Sequence, residues 1–339
     1  MLQAALSKLV ARQHLSAEEA EAVLQHVMDG QATEAQIGAL LVALRMKGET
    51  ADEIAGFARA MRANCVRVKP TVAGLVDTCG TGGDKVDTFN ISTAAAFVAA
   101  GAGVPIAKHG NRAVSSQSGS ADVLAELGVN ISLAPGGVAR CIDEVGIGFL
   151  FAPSLHPAMK HAAGPRRDLA MRTIFNLLGP LTNPAGARRQ VIGVFDAAAA
   201  PLMAEALRAD GSEHVLLVHG EVGLDEISLT GKTQVTEVRG DAIESYSLAP
   251  ADLGLPEACL EAITGGDPAA SAVMLRQVLA GEPGPRLDIV LANAAAAIYV
   301  GGKAGSLREG VELAAAAVTS GAATAKLQGL QRLSNELAT

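Results

Sequence analysis

Between Asp77 and Thr93 the chain reads DTCGTGGDKVDTFNIST, a turn crowded with Gly80, Gly82 and Gly83, salted with acids and closed by hydroxyls. Glycines let a backbone come close to a ligand, and here they keep company with groups that bind cations and sugars. A nucleotide P-loop would need a glycine–lysine pair followed by Ser or Thr, and none stands in place. A dinucleotide fingerprint counted from Gly80 would end on glycine, where this chain has Lys85. Asn90, Ser92 and Thr93 stand where a helix should begin. Free backbone N–H groups, the helix dipole and side-chain donors favour an anion there. A simple cap needs one such residue, not three.

A second stretch, KHGNRAVSSQSGS at 108–120, has the same chemistry. Lys108 and Arg112 bring charge, Gly110 and Gly119 bring backbone close, and Ser115, Ser116, Ser118 and Ser120 offer donors. Two anion-seeking loops at one sheet edge imply a ligand with two phosphate groups, outside the carboxyl ends of the strands. Asp84 and Asp87 do not suit a bare anion site; they suit a hard cation beside the phosphates, or sugar hydroxyls. In GLDEIS, Asp225 and Glu226 are adjacent. Alone, such a pair is an ordinary solvated surface feature. Beside a two-phosphate cradle it fits Mg²⁺, which takes one or two carboxylates together with phosphate oxygens. Finally, Arg166, Arg167 and Arg172 cluster in GPRRDLAMR. One arginine near the cradle can hold a planar carboxylate bidentately. Arg167 and Arg172 read instead as partners of surface acids, and Gly164-Pro165 as the entrance of a helix.

Helices and strands must position these groups. Residues 1–69 read as a small helical domain of four short helices. Three capping boxes open the later ones: Ser16 with Glu19, Thr33 with Gln36 and Thr50 with Glu53. Ile37, Leu40, Leu41 and Leu44 follow the second at helical spacing, and Ile54, Phe57, Ala58 and Met61 the third. From about 70 to 339 the texture is α/β, with a helical contribution to the first domain from about 166–186. Strands are expected at 75–76, 104–107, 190–195 and 214–219. Helices are expected at 91–100, 120–127, 201–208, 271–279, 289–300 and 307–320. The fold class is a helical N-terminal domain plus a larger α/β domain with a central, mostly parallel sheet flanked by helices.

Composition narrows the function. The 339 residues suggest two domains at ~100–200 residues each. With 49% hydrophobic against 18% charged residues a large core is available. A formal net charge of −8 argues against a general nucleic-acid binder, which needs a basic face. Cys65, Cys79, Cys141 and Cys259 are scattered without metal spacing, as in a reducing compartment. Lys8 and Arg12 interrupt the N-terminal apolar stretch, unlike a signal peptide. The run at 94–107 is shorter than the ~20 residues of a membrane span. A soluble, cytoplasmic protein with no membrane partner is expected.

Taken in order, QIGALLVALRMKGET, GTGGD, TFNIST, KHGNRAVSSQSGSADVL, GPRRDLAMRTIFNLLGPLTNPA and GLDEIS resemble the anthranilate phosphoribosyltransferases, among the nucleoside-phosphorylase-like phosphoribosyltransferases, from end to end. Cys79 and Lys85-Val86 are mild departures. The resemblance implies transfer of phosphoribosyl from 5-phosphoribosyl 1-diphosphate to the amino group of anthranilate, releasing pyrophosphate, with two Mg²⁺ per subunit and a homodimer formed through the N-terminal helices. By motif it assigns Gly80, Gly83, Asp84 and Thr88 to the diphosphate and ribose. Asn90, Ile91, Ser92 and Thr93, then Lys108, His109, Gly110, Asn111, Arg112, Ala113, Val114, Ser115, Ser116 and Ser120, go to the phosphates. Gly80, Asn111 and Arg166 go to anthranilate, with His109 and His156 along its approach. Ser92, Asp225 and Glu226 go to the metal. No dedicated base is visible. A pyrimidine nucleoside phosphorylase shares the glycine turn but has no need of an adjacent Asp-Glu pair. A silent nucleic-acid-binding paralogue would have lost the KHGN or Asp-Glu elements and gained a basic face.

Overall fold

The computed structural model describes residues 1–84, 86–113 and 117–338. Four helices open the chain: α1 (Leu2–Val10), α2 (Ala17–Met28), α3 (Glu34–Lys47) and α4 (Ala51–Ala63). All three expected capping boxes form, each satisfying two backbone donors that a helix start leaves free. Glu53 does more than cap. Wholly buried, it accepts from Leu15 N (3.0 Å), Thr50 N (2.9 Å) and Lys47 Nζ (2.9 Å), pinning the α1–α2 connection to α4. Gly56 lets α2 and α4 touch, since a Cβ there would stand 2.2 Å from the Ala17 carbonyl.

The rest of the chain builds one sheet. Its strands are β1 (Val76–Asp77), β2 (Ile106–Gly110), β3 (Ile147–Phe151), β4 (Arg189–Gly193), β5 (His214–Gly220), β6 (Thr233–Arg239) and β7 (Ala242–Leu248). The order across the sheet is β3-β2-β1-β4-β5-β6-β7; the first five are parallel, and β6 and β7 antiparallel. The chain fills one side of β1 with β2 and β3, then crosses to β4 and β5. That reversal leaves a crevice at the carboxyl ends of β1 and β4, where open α/β sheets place ligands.

Helices follow in chain order: α5 (Ile91–Gly101), α6 (Ser120–Glu126), α7 (Pro135–Val145), α8 (Ala152–Leu155), α9 (Lys160–Leu169) and α10 (Phe175–Leu178). Then come α11 (Ala199–Ala209), α12 (Pro268–Leu279), α13 (Pro285–Val300), α14 (Leu307–Thr319) and α15 (Ala322–Glu336). Both sheet faces are covered, as a parallel sheet requires. Val191, Leu216 and Val218 point into a core shared with α5 and α12–α15. Their neighbours Ile192, Val215 and Leu217 point into a core shared with α1–α4, α11, Ala162 and Phe175.

The structure corrects several expectations. β2 runs on through Lys108, His109 and Gly110 instead of stopping at Ala107. The alternation of a strand therefore sends Lys108 and His109 to opposite faces. Gly164 and Pro165 lie inside α9, which starts at Lys160. β3, α7, α15 and the β6–β7 hairpin went unforeseen. In the hairpin, β7 is an exposed edge with a polar sequence, and its two-residue turn, Gly240-Asp241, places Gly240 at φ 58°.

Candidate active site

A cavity of about 700 Å³ opens over the carboxyl ends of the parallel strands. The turn after β1 forms one wall. Gly82 and Gly83 stand at φ 64° and 78°, a backbone region open to glycine and costly for other residues. Gly80 meets its surroundings differently: a Cβ would be 3.0 Å from Gly193 O and 3.3 Å from Asp225 Oδ2. Thr81 N donates to Gly193 O (2.8 Å), and Phe195 N donates to Thr81 Oγ1 (3.1 Å), so the turn is sewn to the end of β4.

The first turn of α5 makes the floor. Asn90 precedes the helix without capping it; its amide donates to Ser118 O (2.9 Å) and accepts from Ser118 Oγ (3.1 Å). The two loops anticipated as anion sites are thereby tied together. Thr93 Oγ1 is buried, lines the cavity and meets no partner among the described residues. Such an orphan costs free energy that a ligand oxygen would recover.

β2 brings charge from below. Lys108 is buried, and its Nζ donates to Thr78 O (3.0 Å), Thr78 Oγ1 (3.1 Å) and weakly to Ser92 Oγ (3.4 Å). Burial pulls its pKa down, while Cys79, Asp77, Glu226 and Asp225 pull it back up. His109 donates its main-chain N–H to Asp77 Oδ1 (3.0 Å), and its Nδ1 sits 3.2 Å from Gly179 O. Asp77 Oδ2 accepts from Asn183 Nδ2 (2.7 Å). Asp77, Cys79 and His109 present ligand atoms within 4.8 Å of one another. Both Asp77 oxygens are spent on backbone and amide donors, however, so this carboxylate serves as a strut and not as a cation site.

The acids gather opposite Lys108. Glu226 Oε1 accepts from Ser92 N (3.0 Å), the first free donor of α5. Asp225 is half-buried between Asp84 and Glu226, and desolvation first, then these like charges, push its pKa well up. Burial raises Asp84 too, and pushes Glu226 up to about 7 against the pull of Lys108. Three desolvated carboxylates beside one cation form an oxygen donor set short of positive charge. That is the environment of a hard divalent cation. Asn293 aims them: its Oδ1 accepts from Ile227 N (2.8 Å) and its Nδ2 donates to Ile227 O (3.0 Å) and Ile289 O (2.9 Å).

The far end is less charged. Arg166 lines it with its guanidinium 5.1 Å from the Phe175 ring centroid, and makes no ion pair among the described residues. Burial lowers its pKa. His109 and His156 stand beside it with ring centroids 5.1 Å apart. Burial depresses them to about 3 and about 4, so both are neutral, and each leaves Nε2 without a partner among the described residues.

The cavity wall thus unites Gly80, Gly83, Asn90, Ser92, Thr93, Lys108, His109, Gly110, Asn111, Arg112, Ala113, Ser120, His156, Arg166, Asp225 and Glu226. Asp84 stands behind the wall against Asp225. Thr88 bridges to Thr264 away from it, and the Ile91 side chain is core. Val114, Ser115 and Ser116 lie outside the described residues. Arg167 faces Asp168 on the surface, as expected. Arg172 pairs with no acid among the described residues: it donates to the Gly83 carbonyl and lies over Phe195. Thr81, Gly193, Phe175, Asn176 and Asn293 were missed; none carries a local signal, because each is defined by what lies across the fold.

Comparison with known proteins follows the same lines. A family model described as "Glycosyl transferase family, helical bundle domain" matches residues 3–65, and one described as "Glycosyl transferase family, a/b domain" matches 72–324. The chain is 56% identical over 330 residues to the anthranilate phosphoribosyltransferase of Desulforudis audaxviator, covering 97% of this chain and 95% of that one. It is 55% identical over 339 residues to that of Rubrobacter xylanophilus, covering 100% and 99%. The crystal structure of the Thermus thermophilus enzyme superposes with a TM-score of 0.93 at 45% identity, over 98% of this chain and 99% of that one. The Saccharomyces cerevisiae enzyme in complex with PRPP and Mg gives 0.90 at 30% identity, over 99% and 98%. The same yeast enzyme with 4-fluoroanthranilate gives 0.88 at 28%, again over 99% and 98%.

Proposed function

Because the chain belongs to the anthranilate phosphoribosyltransferases of the glycosyl transferase family, we propose that its cleft divides into a diphosphate end and an acceptor end. The reaction is transfer of phosphoribosyl from 5-phosphoribosyl 1-diphosphate to the amino group of anthranilate, giving N-(5-phosphoribosyl)anthranilate and pyrophosphate in tryptophan biosynthesis. The division rests on one observation: a single cavity joins the glycine turn, the α5 N-terminus, the KHGN end of β2 and the acid pair to Arg166, which has no ion-pair partner among the described residues. Neither a phosphorylase nor a nucleic-acid binder calls for that union.

At the diphosphate end, the turn at Gly80–Gly83 and the hydroxyls of Ser92 and Thr93 receive anionic oxygens, with Lys108 as fixed counter-charge. Asp225 and Glu226, aided by Ser92 and backed by Asp84, would hold Mg²⁺, and we assign two ions per subunit. When bound, Mg²⁺ neutralises the oxygens of the departing diphosphate. At the acceptor end, Arg166 grips the anthranilate carboxylate and Phe175 supports that guanidinium. Asn111 and the neutral histidines line the approach. An aryl amine needs little activation, so the chain's work is to hold it in line behind C1 and to exclude water. Breaking the C1–diphosphate bond leaves positive charge on the ribose, as in glycoside cleavage.

Loss of anthranilate fluorescence should require phosphoribosyl diphosphate, Mg²⁺ and the protein together. Asp225→Asn with Glu226→Gln should cut turnover by about two orders of magnitude or more, since a metal's charge stabilisation is worth several kcal/mol. Turnover near wild type in that double variant would refute the metal assignment.

We also propose a homodimer through the N-terminal helices, supported by Val10 and Met46, 76% and 71% exposed on the contacting helices α1 and α3. Sedimentation at the mass of one protomer would overturn it. Among the described residues no helix is long and apolar enough to cross a membrane. A cytoplasmic location is proposed on the four free cysteines.

A further inference from the structure

Arg172 has no part in the chemistry above, yet it joins the two ends of the cleft. It sits in the short link between α9, which carries Arg166, and α10, which opens with Phe175. Ala170, at φ 48°, ends α9 in the left-handed region and turns the chain into the link. The guanidinium donates to the carbonyl of Gly83, 89 residues earlier, and lies 3.8 Å from the ring centroid of Phe195. Phe195 is itself tied to the same turn through Thr81 Oγ1. Arg167, five positions before, pairs among the described residues with exposed Asp168.

A planar cation that stacks on a ring while donating to a carbonyl demands one geometry of all its partners. The turn it holds has Gly82 and Gly83 both at positive φ, a backbone few other residues could keep. A shift of Gly83 must therefore pull on the 170–174 link, and through it on the Arg166–Phe175 pair. We propose that Arg172 couples the two substrate subsites, so that a diphosphate seated on the glycine turn fixes the acceptor pocket and tightens anthranilate. This rests on the division of the cleft made above. Linkage requires the effect to be reciprocal, anthranilate tightening the diphosphate by the same factor.

The test uses a pair of ligands that cannot react, anthranilate and Mg²⁺-pyrophosphate. In the wild-type protein, pyrophosphate should tighten anthranilate by at least about 5-fold by fluorescence titration. In Arg172→Met that ratio should fall to about one while each ligand alone binds within about 3-fold of wild type. A residue that merely supported the fold would weaken both ligands and leave the ratio standing. Should Arg172→Met fail to fold, Phe195→Ala removes the stacking platform and should likewise lower the ratio. An uncoupled wild type, or a variant that keeps the wild-type ratio, overturns the proposal. Steady-state turnover of the wild type, measured in parallel, separates this outcome from failure of the functional reading: an enzyme that turns over but shows no coupling loses only this inference, and one that does not turn over loses both.

Discussion

Arg166 illustrates how one residue's chemistry follows from its surroundings. Its guanidinium is largely withdrawn from water, faces Phe175 and has no acid beside it among the described residues. A cation left in that state is an invitation to a carboxylate, and the fork of arginine matches the two oxygens. Arg166→Ala should raise the anthranilate KM by about 10- to 100-fold, the scale of a hydrogen bond to a charged group, and leave the KM for phosphoribosyl diphosphate almost unchanged. Arg166→Lys should fall between, since an ammonium cannot fork. Equal losses in both KM values would show that the residue serves the cleft as a whole. The glycines obey the same local logic. Gly80 is small because Gly193 and Asp225 crowd it, whereas Gly82 and Gly83 are glycine for their backbone angles.

Among the elements, α13 has the least conspicuous sequence and one of the more exacting tasks. It is an alanine-rich helix, buried on almost every side, with a single amide, Asn293, in the middle. That amide engages both the N–H and the carbonyl of Ile227, so the helix holds the main chain directly after the acid pair. Asn293→Asp keeps the size and the acceptor but loses the donor. It should weaken Mg²⁺ or Mn²⁺ binding by about 10-fold, the usual effect of removing a support behind a metal ligand. Titration of Mn²⁺ by paramagnetic resonance reads this without turnover, and unchanged affinity would demote Asn293 to packing. β2 shows the complementary case. Its alternation delivers Lys108 to the phosphate floor and His109 to the acceptor side from consecutive positions.

For the whole molecule, the acid cluster makes stability depend on pH and on metal. Folding raises the pKa of Glu226 from its ordinary 4.5 to about 7, and raises Asp84 and Asp225. The folded chain then binds more protons than the unfolded one between about 4.5 and 7, so these acids cost stability as pH rises through that window. His109 and His156 act with the opposite sign. Depressed from 6.5 to about 3 and about 4, they cost stability as pH falls below 6.5. Comparing melting temperatures with and without Mg²⁺ at each pH cancels the histidines. Because the cation binds the deprotonated acids, the rise it causes should be small near about pH 5.5 and grow toward about pH 8. A rise independent of pH would exclude this cluster as the site.

The sequence by itself determined whatever is decided within one turn or one motif. The capping boxes at Ser16, Thr33 and Thr50, the alternation of strands and helices, and the run from the glycine turn into α5 all depend on neighbours a few positions apart. The grouping of Lys108, Arg166, Asp225 and Glu226 was legible too, through motifs in family order. Only the tertiary structure decided relations set by distant partners. It turned Arg172 from a surface cation into a clasp on Gly83, moved Thr88 and the Ile91 side chain off the cavity wall, and gave Asn293 its purpose. In the β6–β7 hairpin, β7 stayed hidden because a largely exposed polar edge strand writes little apolar pattern, and β6 because its buried positions include the polar Thr233, Thr236 and Glu237. Side-chain identity travels along the chain, but the field and the contacts that give it a role are assembled by packing across the sheet.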